Sequence, residues 1–94
     1  MTNLQLRILV ALSEDWLSGS EVVDKVTTDG GGVYDFKVRT VYDNLAKMVK
    51  RGWVRRELSR SDRVVYHLTA PGRRQAKAGV GELMIFYRSA SERI

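Results

Sequence analysis

The chain has 94 residues, enough for one small domain and too few for two. It has no cysteine and a single histidine, His67, which excludes disulfide and thiolate chemistry and leaves little from which to build a transition-metal site. The formal net charge is +5 and is unevenly placed: Lys37 to Arg63 carry nine Lys/Arg against three acids, the remainder seven against eight, which points to a polyanionic partner for the middle of the chain.

The longest uninterrupted apolar runs, Ile8–Leu12 and Leu83–Tyr87, are five residues each. They are too short for a membrane span or a signal-peptide core, so a soluble, cytoplasmic protein without a membrane partner is expected. The first helix is expected over Leu4–Ser13. It is apolar nearly all round, with Leu4, Ile8, Ala11 and Leu12 on one side and Leu6, Leu9 and Val10 on the other. A surface helix needs only one apolar stripe, so a second cover is implied, either the C-terminal helix or another subunit.

Glu14-Asp15-Trp16-Leu17 reads as a connection. Ser18-Gly19-Ser20-Glu21 is a capping-box pattern, with Ser18 as N-cap, Glu21 reaching back and Ser20 a rival cap. The helix it opens runs to about Val26 or Thr27 and buries Val22, Val23 and Val26. The connector to Phe36 holds Gly30, Gly31 and Gly32; no Gly-Lys-Ser/Thr follows, which argues against a Walker-type phosphate loop. Val33, Tyr34 and Phe36 are expected to tuck under the third helix and Asp35 to cap it.

From Lys37 to Gly52, Val38, Val41, Tyr42, Leu45, Met48 and Val49 recur at three- and four-residue steps, the stripe of an amphipathic helix. Thr40, Asp43, Lys47, Lys50 and Arg51 fall on the other face, flanked by Arg39 and Asn44. Gly52 supplies a left-handed stop. Such a face either stays solvated or lies in a DNA major groove, where cations meet phosphates and Arg, Asn and Thr reach base edges. Tyr42, by its angle on the helix, belongs to the core ahead of a phosphate contact.

Beyond Gly52 the period becomes extended. Trp53–Ser59 and Val64–Leu68 read as two strands joined by a turn at Arg60–Arg63. Val54 and Leu58 should face Val64, Tyr66 and Leu68; Arg60 and Arg63 sit at the tip and read as contacts. His67 reads as a hairpin surface residue, and Trp16 and Trp53 as packing residues. Thr69 caps a last helix with Pro71 in its first turn. Ala76, Val80, Leu83, Met84 and Tyr87 form a stripe along it. Gly79 and Gly81 mark a kink or a close crossing, and the tail is expected to fray from about Ser89.

Taken together the order is that of an α+β, mostly helical winged helix-turn-helix: a three-helix core, a two-stranded β-hairpin wing and a C-terminal helix. Residues 1–69 are expected to form the DNA-binding domain, and 70–94 a C-terminal helix of the same domain that serves as its dimerisation element. The candidate DNA-binding residues are Lys37, Arg39, Thr40, Tyr42, Asp43, Asn44, Lys47, Arg60 and Arg63. The candidate dimer contacts are Leu6, Leu9, Val10, Val80, Leu83, Met84 and Tyr87.

Three segments resemble the PadR-like transcriptional regulators: Thr40-Val41-Tyr42-Asp43-Asn44-Leu45, Gly52-Trp53-Val54, and Tyr66-His67-Leu68-Thr69-Ala70-Pro71-Gly72-Arg73-Arg74. The resemblance spans about Leu4 to Arg74. It implies a dimeric repressor of double-stranded DNA whose C-terminal helix packs against the partner subunit, with Tyr42 near the DNA backbone and Thr40 at the start of the reading helix. Lys37-Val38-Arg39 stands where the family often has Ser-Pro-Gly, making the helix start more basic. The leading expectation is therefore a sequence-specific regulator without cofactor or metal. The alternative is a winged-helix module of a phage or plasmid DNA-processing or protein-interaction assembly. No Ser/His/Asp set or carboxylate pair argues for an enzyme, and whether a small-molecule effector exists is not written in these residues.

Overall fold

Helix α1 (Asn3–Ala11) starts where the side chain of Thr2 accepts a hydrogen bond from the Gln5 N–H (3.2 Å) while the Thr2 N–H donates to Gln5 Oε1 (3.1 Å). This capping box satisfies two backbone donors at the helix end. The computed structural model describes residues 1–28 and 36–93. Its elements are α1 (Asn3–Ala11), β1 (Leu17–Ser18), α2 (Gly19–Thr28), α3 (Val38–Lys50), β2 (Val54–Leu58), β3 (Val64–Leu68) and α4 (Ala70–Arg93). The glycine run, Val33, Tyr34 and the expected cap Asp35 lie outside the described residues. The N-cap of α3 is Lys37, which makes no side-chain capping bond.

Ile8, Leu9, Val22, Val41, Leu45 and Met48 reach 0% exposure and form the centre of the core between α1, α2 and α3. Each such side chain stabilises the fold by about 1.5–3 kcal/mol. Leu9 was expected on an outward side of α1, available to a second subunit; it is instead fully buried within its own chain. Leu6 is also covered, at 9% exposure, by α4 at Gly79. The second cover for α1 thus comes from the chain itself, and of the three residues expected to face a partner only Val10 stays open, at 43%.

The sheet has three strands in the order β1-β3-β2, all antiparallel. The wing was expected to be two-stranded; Leu17 and Ser18 pair with Tyr66 and Val65 and add a third strand at its root. Leu17 is buried, so the pairing is held by a core anchor as well as by backbone bonds. In β2 and β3, Val54 pairs with Leu68, Arg56 with Tyr66 and Leu58 with Val64, the register the alternation implies. Val54, Tyr66 and Leu68 are buried, but Leu58 is 66% exposed because the hairpin runs out past the helices. Likewise Val38 belongs to the α3 stripe by spacing yet is exposed, since it precedes the first turn that meets the core.

Gly52, at φ +80°, ends α3 and lets the Trp53 N–H return to the Met48 carbonyl (3.0 Å). Thr69 caps α4 as expected: its hydroxyl accepts from the Gly72 N–H (3.1 Å) and donates to the Gly52 carbonyl (2.6 Å). The helix then runs unbroken through Gly79 and Gly81 to Arg93, past the point where fraying was expected. Gly79 is the close crossing with α1. Beyond it α4 leaves the domain, which stretches the molecule to 51 × 27 × 20 Å.

Candidate nucleic-acid interface

The outward face of α3 carries Arg39, Thr40, Asp43 and Lys47, all exposed, with Lys37 exposed at its N-cap. The inward residues Val41, Leu45 and Met48 are buried, so the helix axis is pinned and the polar face is held outward. Among the described residues, cations and hydrogen-bonding side chains of α3 thereby share one surface with a single carboxylate, that of Asp43. Such a set can contact both phosphates and base edges.

Tyr42 does not enter the core. It is 40% exposed and its ring lies against Gly19, where α2 begins; a side chain at Gly19 would occupy the space of the ring. Asn44 departs from expectation in the opposite sense. Its Oδ1 accepts from Gln5 Nε2 on α1 (3.0 Å) and its Nδ2 donates to the Thr40 carbonyl (2.8 Å), so its amide is turned to the helix bundle rather than to a ligand.

At the hairpin tip the Asp62 N–H donates to the Ser59 carbonyl (3.0 Å) and Asp62 takes a φ of 57°. Arg60 is exposed in this turn. Arg63, expected beside it as a second outward contact, folds back instead. Its Nη2 donates to Ser18 Oγ (3.0 Å) and lies 3.2 Å from Glu21 Oε1. Ser18 and Glu21 also form the expected capping box: Ser18 N–H to Glu21 Oε1 at 3.1 Å and Glu21 N–H to Ser18 Oγ at 3.3 Å. The Ser18 backbone bond first, then the Ser18 hydroxyl, then the Arg63 charge hold the Glu21 carboxyl below its ordinary value.

Arg56 was missed by the sequence reading. Strand alternation puts it on the face of Val54 and Leu58, toward the helices, and it lines a groove with Ser20, Tyr42 and Arg63 where the start of α2, α3 and the wing meet. That alternation was visible in the sequence. On the other face of the sheet, Trp16 stacks on His67 (3.6 Å between centroids, 22° between planes). Glu57 lies 2.9 Å from Arg55 and 3.7 Å from His67 Nε2. Among the described residues no group of His, Cys, Asp or Glu is placed to hold a metal ion, and no helix is long and apolar enough to cross a membrane.

A tri-helical core whose third helix shows a basic face, joined along one groove to a β-hairpin, defines a winged helix-turn-helix DNA-binding module. The chain belongs to the PadR-like family of transcriptional regulators, whose family model matches residues 8–78. It is thus a DNA-binding regulator of a non-enzymatic family. A PadR family transcription regulator from hypervirulent Clostridium difficile has the same fold, at a TM-score of 0.85 and 18% identity over 97% of both chains. A PadR-like transcriptional regulator from Bacillus cereus gives 0.81 and 22%, over 95% of this chain and 88% of its own. Bacillus subtilis PadR in complex with operator DNA gives 0.75 and 21%, over 85% of this chain but 46% of the longer protein. No curated protein matches the chain.

Proposed function

We propose that the protein is a dimeric, sequence-specific transcriptional repressor of the cytoplasm that inserts α3 into the major groove of its operator. The observation that carries this reading is the exposed set Lys37, Arg39, Thr40, Asp43 and Lys47 on a helix pinned by a buried stripe. Tyr42 and Arg60 flank that set as backbone contacts, and occluding a promoter requires no catalytic group. The Bacillus subtilis relative, solved with operator DNA, supports the reading by analogy of fold. The second copy is supported by the exposed apolar half of α4, where Val80, Leu83, Met84 and Tyr87 are 38–67% exposed. Val10 on α1 and, at its edge, Leu6 adjoin that surface, whereas Leu9 does not reach it.

A gel-shift titration with genomic fragments at two salt concentrations tests the proposal. A subset of fragments should be retained at the higher salt, with affinity elsewhere falling steeply, since non-specific binding rests on phosphate contacts alone. Uniform loss across all fragments would leave only a non-specific DNA binder.

A further inference from the structure

The groove between α2, α3 and the wing has a donor set that the α3 face does not account for. Arg56 lines it from β2 and Arg63 from the turn just before β3, with Ser18, Ser20, Tyr42 and Tyr66, and among the described residues no carboxylate lines it. Two guanidinium groups and nearby hydroxyls suit a phosphate, whose oxygens accept forked, charge-assisted hydrogen bonds. One of those guanidinium groups is already engaged. Arg63 Nη2 sits 3.0 Å from Ser18 Oγ and 3.2 Å from Glu21 Oε1, outside the groove's own lining. Both partners of the ion pair are about half exposed, at 58% and 49%, so the pair is weak enough for a competing anion to break.

We propose that this groove seats one backbone phosphate of duplex DNA, held by Arg56, Arg63 and the Tyr42 hydroxyl, and that Glu21 is a resident counter-anion which the phosphate must displace from Arg63. Glu21 then lowers affinity for every duplex alike and lets the base contacts of α3 decide which duplex is held. This rests on the DNA-binding reading above.

Glu21→Gln isolates the charge, because Gln at the same position of a capping box still accepts from the Ser18 N–H. Fluorescence anisotropy with a random-sequence duplex should show Glu21→Gln binding about two- to fivefold tighter than the parent, the range an exposed ion pair supplies. In an Arg63→Ala background the gain should vanish, and Arg56→Ala should weaken binding with or without Glu21. Glu21→Ala should give the same gain with a lower unfolding midpoint, having lost charge and cap together. Binding by Glu21→Gln no tighter than the parent, or an undiminished gain in the Arg63→Ala background, overturns the displacement and leaves the DNA reading standing. A parent that binds no duplex overturns both.

Discussion

At the scale of single residues, the polar side chains of α3 divide by what they already hold. Asn44 spends its carbonyl on Gln5 and an amide hydrogen on the Thr40 carbonyl, whereas Arg39, nearer the start of the helix, is exposed. Asn44→Ala should therefore cost about 0.5–1.5 kcal/mol of stability, the net worth of a hydrogen bond, while binding-site selection returns the parent's motif. Arg39→Ala should do the reverse: an unchanged unfolding midpoint and a preference relaxed at particular base positions, by about 1–3 kcal/mol for a bidentate contact. Arg60→Ala should weaken binding to all sequences and reduce the salt slope by about one contact. Glu21 adds a pH dependence. Its folded carboxyl titrates below the unfolded one, so the stability it brings is complete above the unfolded value and is lost as pH falls through the folded value. Thermal unfolding followed down through the carboxylate range should show the parent losing stability faster than Glu21→Gln; parallel curves would mean that the charge of Glu21 contributes nothing to folding.

At the scale of elements, the joints carry more of the architecture than the spans. Gly72 in the first turn of α4 faces the Trp53 carbonyl, which also accepts from the Thr69 N–H (3.1 Å), so an added methyl would meet backbone rather than a yielding side chain. Gly72→Ala should cost about 1–3 kcal/mol in denaturant unfolding, the range of overpacking. Gly81→Ala, which meets open space, should be neutral or stabilise by up to about 1 kcal/mol, since alanine favours a helix interior. The spans themselves were legible in the sequence. The stripe from Val41 to Met48, the stop at Gly52, the Ser18–Glu21 box, the hairpin register and the Thr69 cap are all local patterns. What escaped was fixed by distant partners. Two residues of β1 have no readable period, and they become a strand because β3 offers a free edge. Asn44 finds Gln5 across 39 positions and Arg63 finds Glu21 across 42, so neither engagement is written in its own neighbourhood. Leu9 looked outward on its helix because no local pattern tells it from Val10; its burial comes from the core cluster as a whole.

At the scale of the whole molecule, the far half of α4 is the largest apolar surface left open among the described residues. Leu83, Met84, Ile85, Phe86 and Tyr87 are 41–69% exposed on a helix that has already left the domain, and a small protein rarely keeps such a contiguous apolar surface in water. Leu83 and Tyr87 prolong the side of α4 that carries Ala76 and Gly79 against α1, so a second copy can continue a packing surface the chain already uses. Twofold symmetry would bury both stripes and set two α3 helices about 34–36 Å apart, one turn of duplex. Replacing Leu83 and Met84 together with Glu puts charges where desolvation opposes them. In sedimentation the double variant should be a folded monomer, and it should lose affinity for an operator with two half-sites far more than for a single half-site, because the second contact is no longer tethered. Leu9→Glu makes the contrast: buried at 0% exposure, Leu9 should report on folding, and that variant should unfold rather than dissociate. A parent that sediments as a monomer at tens of micromolar, or a double variant that stays dimeric, would remove α4 as the seam.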